Sequence, residues 1–239
     1  MIATSRFCFL VLALASCSRA AESPPPPAGE VLPLARSESP KEQPCAVTVD
    51  SDSAEVLLES GQLAVPHLTD ETNHEEVTLE SDAAGRSLHV QSKTKSEVVR
   101  APGRIKVSVP PGCDVEVTSM SAGIGIADFG CTRLEVSSMS GDISAAAVGS
   151  QHTVLKSMSG NVRVTAAVAT GAHLLRSMSG NVTVQPSPGS TVRLTVVSEK
   201  SFAVLNAESV RSGKLEAVVG TGTASMEARS VSGTVKARY

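Results

Sequence analysis

The sequence predicts an all-β fold, a single-chain β-solenoid of stacked rungs about 19–20 residues long. The hexapeptide Ser138-Met139-Ser140-Gly141-Asp142-Ile143 returns as Ser157-Met158-Ser159-Gly160-Asn161-Val162 and as Ser177-Met178-Ser179-Gly180-Asn181-Val182, with Ser119-Met120-Ser121-Ala122-Gly123-Ile124 ahead of it. Their first serines lie 19, 19 and 20 residues apart (138 − 119, 157 − 138, 177 − 157), and a fixed period of that size marks stacked structural units. Between the hexapeptides run short stretches of alternating apolar and polar residues, the pattern of strands with one buried face.

Each unit offers two strands, for example 132–136 and 143–147, with Gly141-Asp142 turning the chain between them. Gly, Asp and Asn are expected there to supply the positive-φ backbone of a tight corner. A meander of hairpins would also accommodate paired strands, but it gives no reason to repeat near-identical side chains at near-constant spacing. Stacked parallel rungs do. Arg163, Arg176 and Arg193 fall at outward positions, where charge discourages edge pairing.

Ahead of the array, Ala46-Val47-Thr48-Val49 and Glu55 to Val65 read as strands, with Ser60-Gly61-Gln62-Leu63 as an early form of the motif. The section from Asp70 to Arg86 reads as acidic and turn-rich. Ser87 to Gln91 and Arg104 to Val109 alternate again, and Pro110-Pro111-Gly112 opens the regular array. Beyond it Ser198-Glu199-Lys200-Ser201 is an eroded copy, while Ser212-Gly213-Lys214-Leu215 and Ser232-Gly233-Thr234-Val235 restore the pattern.

Composition suits a thin, layered core. Apolar residues make up 41% of the chain but aromatics only 2%, with no Trp, so Val, Ala, Leu, Ile and Met must fill the interior. At 239 residues there is room for one domain with appendages. The net charge of −3 is too small to imply a nucleic-acid partner. Its distribution is uneven: residues 42 to 85 carry eleven acidic side chains and no Lys or Arg, whereas residues 86 to 239 carry seventeen basic against ten acidic.

The N-terminus reads as an address. Arg6 and the short apolar run Phe7 to Leu14 are too brief to cross a bilayer as a helix and match a secretory signal. Leu14-Ala15-Ser16-Cys17 resembles the lipobox of bacterial lipoproteins, which implies a signal peptide over 1–16 and lipidation of Cys17. Ser18 after the cysteine, rather than Asp, favours the outer membrane where the producer has one. Residues 17–44, with Pro24-Pro25-Pro26-Pro27, read as an extended tether, and residues 45–239 as the repeat domain.

Three groups of residues are candidates for chemistry. Cys113 and Cys131 are 18 residues apart (131 − 113), so stacking is expected to bring them together as a disulfide, with Cys45–Cys113 the competing pairing. His67, His74 and a nearby carboxylate are ligand types at short range, but a solvated acidic loop is the simpler reading and no metal or cofactor is expected. His89, His152 and His173 read as isolated outward polar positions. A polysaccharide-cleaving site would need gathered carboxylates; Glu116 and Glu135 would stack as neighbours, yet Arg133 beside them makes surface charge pairing the simpler account.

The ladder Met120, Met139, Met158 and Met178, with its glycines Gly141, Gly160 and Gly180, admits two readings. Counting by twos from Leu134 and Val136 puts Ser138 inside and Met139 outside, unless the corner resets the alternation. The preferred reading is a core ladder filling an irregular corner; the other is an exposed apolar stripe that receives a partner.

The run Ile105 to Val117, Ile-Lys-Val-Ser-Val-Pro-Pro-Gly-Cys-Asp-Val-Glu-Val, leading into Ser-x-Ser-Gly-Asp-Ile units, resembles the bacterial "putative adhesin" β-strand-repeat family, domain of unknown function 4097. The resemblance spans roughly residues 46 to 239 and implies an extracytoplasmic β-solenoid with an adhesin-like or envelope-stress role, with no catalytic site to carry over. The expectation is a non-catalytic module, lipid-anchored to the cell envelope, with an adhesin-like binding or structural role, an envelope or extracellular glycan being the kind of extended ligand that a regular face suits. A protein partner is the alternative and a polysaccharide-acting enzyme the third reading. Cys17→Ser is expected to move the protein from the membrane to the soluble fraction; a variant that stays with the membrane refutes the anchor.

Overall fold

The structure is a computed structural model and describes residues 45–71, 75–94, 103–128, 130–146, 148–166 and 170–239. The signal segment, Cys17 and the tether lie outside the described residues. In chain order the strands are β1 (Ala46–Ser51), β2 (Glu55–Ser60), β3 (His67–Glu71), β4 (Glu75–Ser81), β5 (Ser87–Thr94), β6 (Arg104–Val109), β7 (Asp114–Ser119), β8 (Ile124–Ala127), β9 (Gly130–Ser138) and β10 (Ile143–Ala146). The second half adds β11 (Gly149–Ser157), β12 (Val162–Ala166), β13 (Ala172–Ser177), β14 (Val182–Pro186), β15 (Val192–Ser198), β16 (Phe202–Leu205), β17 (Glu208–Arg211), β18 (Lys214–Val219), β19 (Ala224–Ser230) and β20 (Val235–Ala237).

They form two ten-stranded sheets. One runs β18-β15-β19-β13-β11-β9-β7-β1-β5-β4 and the other β17-β16-β20-β14-β12-β10-β8-β2-β6-β3. Each rung gives one strand to each sheet, and neighbouring rungs pair in parallel, so the fold is a two-sided β-solenoid.

Both ends depart from simple succession. At the N-terminal end β1 and β2 form the second rung, because β5 and β6 stack outside them and the antiparallel strands β4 and β3 cover β5 and β6. At the other end β18 and β17 run antiparallel against β15 and β16, and the final strands β19 and β20 slot between the β13/β14 and β15/β16 rungs. The Asp70 to Arg86 section, expected to be turn-rich, therefore supplies capping strand, and Ser212-Gly213 leads into the antiparallel β18 rather than into a new rung. Ser60-Gly61 ends β2 and is not a repeat corner; Leu63 after it is exposed. Antiparallel caps carrying Glu76, Glu80, Glu208 and Lys214 at exposed positions present charge at the sheet edges.

The core consists of aliphatic ladders, one side chain per rung. Val90, Val49, Val117, Val136, Leu155, Leu175, Ala228 and Val196 form one on the first sheet; Ile105, Val56, Ile124, Ile143, Val162, Val182, Val235 and Ala203 face them from the second. All are buried.

The corner between the two strands of a rung is built from serine. Ser92, Ser51, Ser119, Ser138, Ser157, Ser177, Ser230 and Ser198 occupy successive rungs, and all are buried. From Ser157 onward each hydroxyl works twice. The Ser157 Oγ accepts from the Gly160 N–H at 2.8 Å and donates to the Gly141 carbonyl of the preceding rung at 3.3 Å. Ser177 does the same with Gly180 and Gly160, and Ser230 with Gly233 and Gly180. Ser198 keeps both bonds in the eroded copy, donating to Gly233 and accepting from Ser201 N–H.

This contact brings backbone onto backbone. A Cβ on Gly160 would lie 2.0 Å from the Gly141 carbonyl oxygen, so the ladder glycines are required by close approach. The expected positive φ is absent from Gly141, Gly160 and Gly180. Left-handed backbone instead lies at the other corner, which returns the chain to the first sheet: Gly112, Asp128, Gly171 and Gly189 have φ of 85°, 48°, 89° and 88°. Gly160→Ala should lower the unfolding free energy by about 3 kcal/mol, because backbone on both sides must shift. Gly149→Ala, where an added Cβ meets nothing within 4 Å, should change it by less than about 0.5 kcal/mol. Equal effects in urea titrations would refute the close-approach account.

Candidate functional site

The serine corner carries two side-chain rows, one on each flank. On the first flank Met120, Met139, Met158 and Met178 point outward with 52, 49, 48 and 46% of their surface exposed. The preferred core-ladder reading of these methionines is thus corrected. The corner does not reset the alternation, because the serine hydroxyl takes the inward place in order to reach the glycine backbone. Backbone bonds from Met139 N to Ser119 O, Met158 N to Ser138 O and Met178 N to Ser157 O, all 3.0–3.1 Å, hold the methionines directly above one another. Beside them opens a groove of ≈ 420 Å³ that includes Ser137, Lys156 and Arg176.

On the second flank lies an Asp/Asn row, whose residues were expected only as positive-φ corner formers and have no positive φ. Asp142 Oδ1 accepts from the Asn161 N–H at 2.7 Å, Asn161 Oδ1 from the Asn181 N–H at 3.0 Å, and Asn181 Oδ1 from the Thr234 N–H at 2.8 Å. Each side chain thus satisfies a main-chain donor of the next rung. A groove of ≈ 450 Å³ follows this row, bounded on its far side by Ser144, Arg163, Thr183 and Lys236. Arg163 and Lys236 form no ion pair among the described residues.

The outer face of the first sheet holds a further depression of ≈ 590 Å³, where Ala172 and Ser225 lie low between Arg133, His152, Arg193 and Glu227. Outside that depression, Glu116 and Glu135 are rung partners in β7 and β9. The Arg133 guanidinium bonds Glu135 at 2.8 Å and Lys156 approaches it at 3.6 Å, and this pairing holds the Glu135 carboxyl below its ordinary range. A carboxylate held as an anion between two cations is a poor proton donor.

The disulfide joins Cys45 to Cys113, with Cα atoms 4.5 Å apart, and Cys131 is a buried free thiol. The expected Cys113–Cys131 bridge is therefore corrected. Ala46 pairs with Asp114, which sets Cys45 directly beside Cys113. Val115 pairs with Leu134, so Thr132 rather than Cys131 falls opposite Cys113. Successive residues Thr132 and Arg133 both face outward, and this extra residue displaces the thiol. Burial, with the Asp114 carboxylate nearby, pushes the Cys131 thiol up to about 12.

His173 is inward, not outward as expected. It stands between Thr153 and Met226 in a buried row, its Nε2–H donating to the Thr170 carbonyl at 3.0 Å while Nδ1 accepts from the Thr153 hydroxyl at 3.1 Å. His67 starts a capping strand, and His74 lies outside the described residues. Among the described residues no three His, Cys, Asp or Glu side chains gather as a metal site.

A two-sided solenoid with a serine-glycine corner and polar rows on its faces defines a β-repeat module. The chain belongs to the Toastrack family, DUF4097, whose model matches residues 46–239. No curated protein matches it. Among solved structures it is similar to a "putative cell adhesion protein" from Clostridium sporogenes and a "putative adhesin" from Bacteroides fragilis. Each is 12% identical over 80% of this chain and 91% of its own, with a TM-score of 0.37. Likeness of that degree carries no argument about function.

Burial holds His173 below its ordinary pKa of 6.5. The unfolded chain therefore takes up a proton that the folded chain refuses, and stability present above pH 6.5 is lost on acidification. Unfolding midpoints should fall as the pH is lowered below 6.5, and His173→Gln should flatten that slope; an unchanged slope in the variant refutes the assignment.

Proposed function

We propose that this protein is a non-catalytic binding module of the bacterial cell envelope, lipid-anchored through Cys17 and carried on a proline-rich tether, whose ligand is an extended glycan. The observation that carries the reading is the groove along Asp142, Asn161 and Asn181. There an Asp or Asn stands at the same place on three successive rungs, with Thr234 on the fourth and a polar side chain two residues after each, so a polymer with a regular repeat meets hydrogen-bonding groups at a regular interval. Its lining has no aromatic side chain. Recognition would rest on hydrogen bonds and on the unpaired Arg163 and Lys236, which suits hydroxyl- and carboxylate-bearing sugars. The Cys45–Cys113 bridge fits an oxidising, extracytoplasmic location, and the outer membrane is the favoured address from Ser18.

A second reading draws on the exposed methionine row: an assembly partner or envelope-stress sensor that receives a protein. Lys156 and Arg176 beside the row suit an acidic amphipathic segment.

Retention of the detergent-purified full-length protein on isolated envelope glycans across a salt series separates the two. Saturable binding that persists at high salt, weakened about tenfold by joint Arg163→Ala and Lys236→Ala, is the expected result. Binding that is absent, or that vanishes with salt as screened attraction does, contradicts the glycan reading and moves the assignment to the protein partner.

A further inference from the structure

The row that starts each corner reads, along the stack, Asp52, Met120, Met139, Met158, Met178, Val231, Glu199, as the backbone bonds between rungs show. Four adjacent rungs thus present a thioether at one surface position, each about half exposed. Nothing in the packing asks for methionine there, since the inward place is already taken by serine. The apolar role alone does not ask for it either, because leucine or valine would do it with less side-chain entropy lost on contact.

We propose that Met120, Met139, Met158 and Met178 form a binding site for copper(I), held by thioether sulfurs from neighbouring rungs. Parallel strands set the rungs about 4.8 Å apart, and the unbranched methionine side chain has three rotatable bonds. Two or three sulfurs of adjacent rungs can therefore turn toward a common point. Thioethers are soft donors that select copper(I) over hard oxygen-seeking ions such as calcium or magnesium. They carry no proton, so binding needs no ionisation, unlike a thiolate site. They also remain available in an oxidising compartment, where paired thiols are consumed as disulfides.

The charges around the row permit a monovalent cation. Lys156 is already engaged by Glu135. Arg176 is the cation beside the row that forms no ion pair among the described residues, and as an exposed side chain it acts through solvent that screens within about 10 Å. Asp52 brings a carboxylate to one end of the row, with Lys93 on the rung beyond it, and Glu199 at the other end is already bonded by Arg229.

Copper(I) and an apolar partner make different demands on the same surface, because only the metal requires sulfur. The full-length protein in detergent would be titrated against copper(I) held by a coloured chelator, with ascorbate and without oxygen. At least one copper per chain is expected to transfer to the protein, and X-ray absorption should show a sulfur shell. Joint Met139→Leu and Met158→Leu, which keeps the row apolar, should weaken transfer about tenfold or more, with the thermal midpoint confirming that the variant folds. Met120→Leu with Met178→Leu is the second pair should the first fail to fold. Cys131→Ser should leave transfer unchanged. No transfer to the wild type, full transfer to a folded leucine variant, or loss on Cys131→Ser would each overturn the proposal.

Discussion

The structure depends on a buried hydroxyl that bonds in two directions. The serine that ends the first-sheet strand accepts from the N–H three residues on in the Ser138, Ser157, Ser177, Ser230 and Ser198 rungs, and from Ser157 onward it also donates to a glycine carbonyl of the rung before. Each such bond contributes only about 1 kcal/mol, but leaving a buried partner unmade costs about 1–3 kcal/mol. One change therefore exposes groups on two rungs at once. The same bond draws glycine backbone into contact with glycine backbone, which excludes any side chain at that place. Serine sets the direction of the turn, glycine permits the approach, and the aliphatic ladders supply the burial.

That constraint also produces the surface. Once the serine is fixed inside, the residue after it must face out, and the residue after glycine must face the second sheet's solvent side. The methionine row and the Asp/Asn row are thus two consequences of one corner. The regularity of the methionine row is inherited from the backbone bonds between rungs, whereas the Asp/Asn row adds its own side-chain bonds to the next rung. At both ends the stack is closed by antiparallel strands, but the methionine row stops before them, where Asp52 and Val231 take its place on parallel rungs. The acidic N-terminal cap and the more basic array follow the uneven distribution of charge along the chain.

Much of this was legible in the residues. The period of the Ser-Met-Ser-Gly unit gave parallel rungs, and counting by twos from Val136 already put Ser138 inside. The caps were not legible, because antiparallel strands that stack on one neighbour have no reason to repeat: Glu75 to Ser81 carries none of the motif, and Ser212-Gly213 carries it by coincidence. The order of rungs at the C-terminal end was hidden for a related reason, since β19 and β20 match the repeat equally well wherever they are inserted. The disulfide turned on a single extra residue in β9, which spacing alone cannot assign. His173 sits two residues before Leu175 and so was inward by alternation; its polarity argued the other way, and a hydrogen bond at each ring nitrogen resolved the conflict.

Native-state hydrogen exchange at the corner glycines tests the central claim most directly. If the serine ladder holds the stack, the amides of Gly141, Gly160 and Gly180 exchange as slowly as those of Val136, Leu155 and Leu175 at the strand centres, through global unfolding alone. Corner amides that exchange orders of magnitude faster while the strands stay protected would show that the corners open independently. The aliphatic ladders would then hold the solenoid without them.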